Sequence, residues 1–169
     1  EQVLYPIGKK QGFDQKVIDW TTSAASKDRH SKSINIIDAS SIIGNTRLIK
    51  DDHEIALIKE ACDISAEAHI AAMKSVKNGD SEQQIESLYI HEFSKRGARY
   101  PAYNPIVAGG ENACVLHYVE NNQILEESDL LLVDAGCEYQ MYAADITRTF
   151  PVSGKFSEEQ LAVYEVVLD

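Results

Sequence analysis

The chain has 169 residues, and its 16 Lys and Arg against 27 Asp and Glu give a formal charge of −11 and a pI near 4.8. A chain this acidic, whose basic stretches are short, does not fit a nucleic-acid-binding protein, because basic clusters bind polyanions. With 44% apolar and 25% charged residues, and no apolar run near the roughly 20 residues that cross a bilayer, the composition is typical of a globular chain and excludes a membrane-embedded protein.

The N-terminus and the cysteines indicate the cellular compartment. The first residues include no initiator Met, no basic region and no long apolar region, so we expect no signal peptide and interpret the start as lying inside a longer chain. Three cysteines, Cys62, Cys114 and Cys137, show no CxxC spacing, which argues against a disulfide scaffold and a thiolate zinc site. Their small or apolar neighbours predict core positions. The expected location is the reducing cytoplasm.

Residues 1–46 predict a small unit. A strand is expected at 3–8, a helix at 13–25 and a β-branched strand at 34–37, followed by a helix that starts within 38–41. These residues have too little apolar mass for a core of their own. We therefore interpret residues 1–46 as the C-terminal tail of a preceding α/β domain plus a linker.

Three further helices are predicted downstream. Apolar residues recur at intervals of three and four from residue 51 to residue 73, which indicates a long amphipathic helix. Ser81 and Gln84 have capping-box spacing at the start of a second helix, which is expected to continue to Phe93. The same spacing of Ser and Gln opens a third helix over residues 157–168.

The region between the second and third of these helices is predicted to be β-structure. Extended segments are expected at 102–108, 113–118, 130–134, 138–142 and 146–152. The uninterrupted apolar run at 130–133 is typical of a strand covered on both faces. Helices followed by strands that can pair antiparallel predict an α+β fold in which two helices cover an antiparallel sheet.

Two aspartates near the predicted strands could bind a metal ion. Asp134 ends the apolar strand, and Asp145 follows a short apolar stretch. If their segments are neighbouring antiparallel strands, both carboxylates can face one point, where two negative charges favour a bound cation. Alternatively, Asp134 caps a turn and Asp145 pairs with Arg148. The spacing alone leaves both interpretations open.

His117 is the one histidine with a candidate role in a site. It ends an apolar stretch, where a histidine can be either a site residue or a hydrogen-bonded structural residue. His53, His69 and His91 lie on predicted helices. We expect those three to lie on helix surfaces.

Five blocks of sequence together carry a specific resemblance: GARYPAYN (97–104), NACVLHY (112–118), VDAGCEY (133–139), DITRTFP (145–151) and GKF (154–156). In this order they strongly resemble the bacterial Xaa-Pro aminopeptidase family, over about residues 40–169. That family belongs to the pita-bread metallopeptidases, with prolidase and methionine aminopeptidase as relatives. The resemblance implies that residues 47–169 are the N-terminal half of a pita-bread catalytic domain, so the expected fold is a partial pita-bread.

The resemblance also implies a metal centre. The family holds two divalent ions, usually manganese, with two Asp, one His and two Glu; Asp134 and Asp145 fall on the Asp positions. His117 falls on a histidine beside the metals that helps to hold substrate or the tetrahedral intermediate. The implied reaction is metal-assisted hydrolysis of the bond before proline. The family's remaining His and Glu ligands have no counterpart in these 169 residues, so we expect this chain alone to be inactive.

The implied partners are peptides with proline at the second position and, through an exposed apolar sheet face, a second copy of the chain or another chain. Three other functions remain as alternatives. A prolidase-type dipeptidase is the nearest, although residues 99–103 and 138–139 look more like the aminopeptidase. A metal-free peptide-binding module of this fold, as in histone chaperones, and creatinase are disfavoured, because neither needs Asp134 and Asp145.

Overall fold

The computed structural model describes residues 2–27 and 34–168, which divide into two compact units between Asp51 and Asp52. This division falls shortly after the boundary that the sequence predicts at residue 46. Within the described ranges, no helix is both long enough and apolar enough to cross a membrane.

The first unit has the predicted strand–helix–strand–helix order. Its elements are β1 (Gln2–Leu4), α1 (Gln11–Lys27), β2 (Asn35–Ile37) and α2 (Ser40–Thr46). The two strands pair in parallel, with Val3 opposite Ile36. Helix α1 is held to the end of β1 because the Tyr5 hydroxyl donates to Asp14 Oδ1 at 2.7 Å.

The second unit contains the three predicted helices, which are α3 (Asp52–Ser75), α4 (Glu82–Lys95) and α5 (Glu158–Leu168). The capping box that opens α4 is confirmed, since Ser81 N donates to Gln84 Oε1 at 2.6 Å and Gln84 N donates to Ser81 Oγ at 3.2 Å. Such reciprocal bonds satisfy backbone donors that a helix start leaves free.

The strands of the second unit form two small antiparallel sheets. They are β3 (Tyr100–Pro101), β4 (Ile106–Gly109), β5 (Leu130–Asp134), β6 (Cys137–Tyr139), β7 (Tyr142–Ala143) and β8 (Thr147–Pro151). One sheet has the order β3-β6-β7 and the other β4-β5-β8. Helix α3 contacts β6 and β7, and helix α4 contacts β3 and β4. The predicted mixed fold of helices over antiparallel strands is confirmed.

The core lies between these helices and strands. Helix α3 presents a row of small, fully or almost fully buried residues, Ala61, Ser65, Ala68 and Ala72, whose spacing places them on one helix face. Small side chains allow the helix to lie close to the strands, as seen where Ser65 Oγ accepts a hydrogen bond from Cys137 N at 3.0 Å. Larger apolar side chains from α4 and β5, including Phe93 and Leu131, complete the core.

Three details of the predicted β-structure are wrong. Strand β5 is not fully covered on both faces, because Leu131 and Val133 are buried whereas the alternate residues are only half-buried. Residues 138–142 form a hairpin instead of one strand, with Gln140 and Met141 at φ +48° and +72°. Positive φ at both loop residues is typical of a type I′ turn, but neither residue is the Gly or Asn that usually signals one.

The third wrong detail is the strand expected at 113–118. The chain forms a 3₁₀ turn at Gly110–Cys114 and then continues irregularly. The predicted burial of the cysteines is confirmed for Cys137, but Cys62 is half-buried and Cys114 is exposed. Cys114 is exposed because it ends the 3₁₀ turn and lies in no strand.

Candidate metal centre

Asp134 and Asp145 are brought to the same edge of a sheet by the backbone. Strands β5 and β8 are antiparallel neighbours, with Asp134 opposite Thr147. Immediately after Asp134 the backbone remains paired, since Ala135 N donates to the carbonyl oxygen of Ile146 at 3.1 Å. Asp145 therefore lies beside the end of β5, although the β6–β7 hairpin separates the two aspartates in sequence.

A glycine makes this close approach possible. A Cβ atom on Gly136 would overlap the backbone carbonyl group of Ala144. Any other residue at position 136 would therefore push the strand that leads into Asp145 away from the end of β5.

Tyr103 joins the two carboxylates. Its hydroxyl lies 2.5 Å from Asp134 Oδ1 and 3.1 Å from Asp145 Oδ1. The residue before it is fixed to the same turn, because Ala102 N donates to the carbonyl oxygen of Gly136 at 2.9 Å. Both carboxylates thus lie within hydrogen-bond distance of a single oxygen atom.

The surroundings keep the Tyr103 hydroxyl protonated. Burial raises the pKa of Tyr103, and the hydrogen bonds to Asp134 and Asp145 and their negative charges raise it further. The hydroxyl has one hydrogen to donate to two anionic acceptors. Since Asp134 is half-buried and Asp145 is exposed, the pair opens to the surface.

The donor chemistry of this pair suits a divalent cation. Two carboxylates at one point repel each other unless a cation or a proton intervenes, and carboxylate oxygens are ligands for hard ions such as Mn²⁺ and Mg²⁺. Across residues 2–27 and 34–168, however, no group of three or more His, Cys, Asp or Glu side chains is placed to hold a metal ion. The described residues thus bring together two carboxylates of the type that a divalent ion requires, fewer than a complete site.

Arg148 does not neutralise this pair. Its guanidinium donates to the carbonyl oxygen of Thr147 at 2.7 Å. The ion pairs found in the described part of the chain involve Glu67, Glu92, Lys95 and Arg96. The pairing of Asp145 with Arg148 that the sequence left open is therefore not observed.

His117 lies on the loop that follows the 3₁₀ turn. Its side chain is exposed and its backbone has φ +57°, in the left-handed region. Within the described ranges, its side chain makes no hydrogen bond to Asp134 or Asp145. Among the described residues, the structure therefore joins the two aspartates but shows no hydrogen bond from His117 to either.

His69 is not a surface residue, so that prediction is wrong. Its side chain is 3% exposed, with Nδ1 2.8 Å from the Tyr89 hydroxyl and Nε2 3.2 Å from the carbonyl oxygen of Ala135. It thus contacts the residue that directly follows Asp134. Burial of the imidazole lowers the pKa of His69. His53 and His91 are exposed, as expected.

Tyr103 is a member of this site that was not predicted from the sequence. Its acceptors lie 31 and 42 residues further along the chain, so no local pattern links it to them. The only signal was its position inside the GARYPAYN block.

Comparison with known proteins identifies the class. The family model described as metallopeptidase family M24 matches residues 56–169. The match covers most of the chain and includes both aspartates, so the chain belongs to metallopeptidase family M24.

Individual proteins that resemble the chain give a more specific comparison than the family model. An Xaa-Pro aminopeptidase from Haemophilus influenzae is 53% identical over 133 residues, which are 79% of this chain and 31% of that protein. The structure of Pseudomonas aeruginosa aminopeptidase PepP matches with a TM-score of 0.94 and 42% identity, over 99% of this chain and 38% of that one. A zinc-substituted Escherichia coli aminopeptidase P in complex with product matches with a TM-score of 0.89 and 42% identity, over 99% and 38%. The chain thus spans about a third of the length of the curated relatives it matches.

Proposed function

We propose that this chain is part of a metal-dependent aminopeptidase that hydrolyses the bond between an N-terminal residue and a following proline. Its membership of the M24 family and its likeness to Xaa-Pro aminopeptidases support this. The observation that carries the proposal is the convergence of Asp134 and Asp145 on the hydroxyl of Tyr103. Such a carboxylate pair has a clear use in a protein that holds a divalent ion.

In the proposed centre, Asp134 and Asp145 hold two divalent ions, with manganese as the expected metal. When bound, the ions supply Lewis acidity and lower the pKa of a bound water. Tyr103 keeps the two carboxylates aligned by donating to them. His117 is proposed to contact the peptide substrate from its exposed loop.

The 169 residues alone are proposed to be inactive. Two carboxylates without further side-chain ligands hold a divalent ion weakly, because such ions take about six ligands and dehydrate reluctantly.

We also propose a cytoplasmic location, which the three free cysteines support. From the exposed apolar side chains of α5, such as Val163 and Val167, which are 67% and 81% exposed, we also propose that a second copy of the chain, another chain or the rest of the aminopeptidase covers this helix.

The test uses the full-length protein that contains this sequence. It is loaded with Mn²⁺ and assayed on a tripeptide with proline second and on the matching tripeptide with alanine second. Hydrolysis of the first and not the second is expected, and chelation should abolish it. Asp134→Asn and Asp145→Asn should each lower kcat/KM by at least about a thousandfold and reduce bound metal, measured by elemental analysis.

Asp63→Asn is the matched control, because Asp63 is an exposed aspartate on helix α3. It should leave both activity and metal content unchanged. Full activity in Asp134→Asn would contradict the proposal. Cleavage of Xaa-Pro dipeptides alone would indicate a prolidase-type dipeptidase instead, and peptide binding without metal or hydrolysis would indicate a binding module.

A further inference from the structure

Glu82 is a buried carboxylate with neutral hydrogen-bond donors on both oxygens. Its side chain is fully buried at the start of helix α4. Oε1 accepts from Gly109 N at 2.8 Å and Asn112 Nδ2 at 2.9 Å. Oε2 accepts from the Tyr118 hydroxyl at 2.8 Å and Gln123 N at 3.0 Å. A buried charge is costly unless it is paired or hydrogen-bonded. Breaking these bonds would therefore cost free energy, and this cost keeps the four donors in place around Glu82.

All of these donors belong to residues 109–123, which we call the His117 loop. Two of them precede His117 in sequence and two follow it. Among the residues that the structure describes, little apolar packing holds the tip of this loop, because Val115, Leu116 and Val119 are 54%, 84% and 54% exposed. The conformation of the His117 loop is therefore set largely by polar contacts, and Glu82 makes four of them.

The backbone of His117 needs such support. Its φ of +57° lies in the left-handed region, which residues with a Cβ adopt at a cost and keep only when their surroundings fix the chain. Tyr118, the next residue, is 6% exposed and is held by Glu82. The contact to Tyr118 thus fixes the chain directly beside the strained residue.

We propose that Glu82 is a positioning residue that holds the His117 loop in the conformation that presents His117 to substrate. This rests on the proposed function, in which His117 contacts the peptide. Glu82 itself does not touch the reacting atoms. Its role follows from acceptor geometry: a glutamine has one acceptor oxygen, so its NH₂ group would face either Gly109 N or Gln123 N, neither of which can accept.

The first experiment measures the loop directly in the full-length protein. Amide hydrogen exchange is followed by mass spectrometry in wild type, Glu82→Gln and Glu92→Gln. Glu92 is the matched control, because it is 7% exposed on the same helix but pairs with Lys95 and Arg96 instead of the loop. Glu82→Gln should speed exchange in peptides from residues 109–123 by about tenfold, and Glu92→Gln should not. Unchanged exchange of these peptides in Glu82→Gln would overturn the proposal.

The second experiment is a double-mutant cycle on kcat/KM with the proline-second tripeptide, using Glu82→Gln, His117→Ala and the double variant. Glu82→Gln should lower kcat/KM by about ten- to a hundredfold at unchanged metal content. In the His117→Ala background the same change should cost less than about threefold, because nothing remains to be positioned. Fully additive losses, or loss of metal in Glu82→Gln, would mean that Glu82 has only a structural role.

The outcomes of these experiments distinguish a failure of this inference from a failure of the proposed function. If Asp134→Asn abolishes activity but the cycle is additive, the metallopeptidase proposal stands and the role of Glu82 falls. If His117→Ala leaves kcat/KM unchanged, His117 has no role in activity, so there is no residue for Glu82 to position and the inference is wrong. Should Glu82→Gln fail to fold, Tyr118→Phe removes one of the same hydrogen bonds, and we expect faster loop exchange and a loss of about threefold in kcat/KM, again suppressed by His117→Ala.

Discussion

The hydroxyl of Tyr89 donates a hydrogen bond to Nδ1 of His69, 2.8 Å away, between helices α3 and α4. The carbonyl oxygen of Ala135, near Nε2 at 3.2 Å, can only accept, so Nε2 carries a proton. Burial lowers the pKa of His69, which favours the neutral ring with Nδ1 as the acceptor, and His69 links helix α3 to the turn that begins directly after Asp134. A core polar pair thus fixes the backbone on which the candidate metal centre is built.

Replacing Tyr89 with phenylalanine should destabilise the second unit. The change leaves a buried imidazole nitrogen without its donor, which costs about 1–3 kcal/mol in the free energy of unfolding. Urea denaturation measures this cost. Tyr164→Phe is the control, because Tyr164 packs against Phe156 and makes no hydrogen bond among the described residues, so we expect a change within about 0.5 kcal/mol. A cost for Tyr89→Phe as small as that of the control would contradict the assigned pair.

The burial of His69 predicts a pH dependence of stability. Burial lowers the pKa of His69 in the folded state, whereas in the unfolded state it is about 6.5. Below pH 6.5 the unfolded state therefore binds a proton that the folded state does not bind, and stability falls as the pH decreases towards the folded-state pKa. The slope is at most about 1.4 kcal/mol per pH unit, and above pH 6.5 His69 contributes none.

Urea midpoints at pH 7.5, 6.5 and 5.5 test this prediction with wild type, His69→Gln and His91→Gln. The fall in stability below pH 6.5 should be smaller in His69→Gln. It should persist in His91→Gln, because His91 is exposed. Equal slopes in all three proteins would mean that His69 does not cause the effect.

Local sequence signals predicted the helices and the central strands. The three- and four-residue apolar spacing of α3 and the Ser81–Gln84 capping box are contained within short windows, so the sequence alone identifies them. The pairing of β5 with β8 could also be anticipated, because the segment between Asp134 and Asp145 is short enough to be a hairpin connection.

Features that depend on long-range contacts could not be predicted. His69 was expected on a helix surface but is buried, where Tyr89 and Ala135 satisfy both ring nitrogens. Tyr103 belongs to the candidate site only because Gly136 and its neighbours bring distant aspartates together. Gln140 and Met141 have positive φ although neither is Gly or Asn, so local propensity does not predict this turn. The turn is stabilised by the strand pairing of Tyr139 with Tyr142 on either side of it.

Gly136→Ala should disrupt both the fold and the site. The added methyl group would overlap the backbone carbonyl of Ala144, which cannot rotate away as a side chain would. We expect the free energy of unfolding to fall by about 3 kcal/mol or more, measured by urea denaturation. Gly44→Ala is the control, since a Cβ there meets nothing within 4 Å on helix α2 and should be neutral or stabilising by up to about 1 kcal/mol. Similar effects of both changes would show that the close approach at Gly136 is not required.

Tyr103→Phe should weaken metal binding without unfolding the protein. The hydroxyl donates to Asp134 and Asp145, and groups that orient metal ligands typically contribute about ten- to a hundredfold in metal affinity. Calorimetric titration of the metal-free, full-length protein with Mn²⁺ should give a Kd higher by that factor. Tyr100→Phe is the matched control, because Tyr100 is 55% exposed three positions earlier and its ring contacts Arg99 instead of the carboxylates. An unchanged Kd in Tyr103→Phe would mean that the aspartates keep their positions without the hydroxyl. A Kd raised equally by Tyr100→Phe would point to a general effect on the β3 segment.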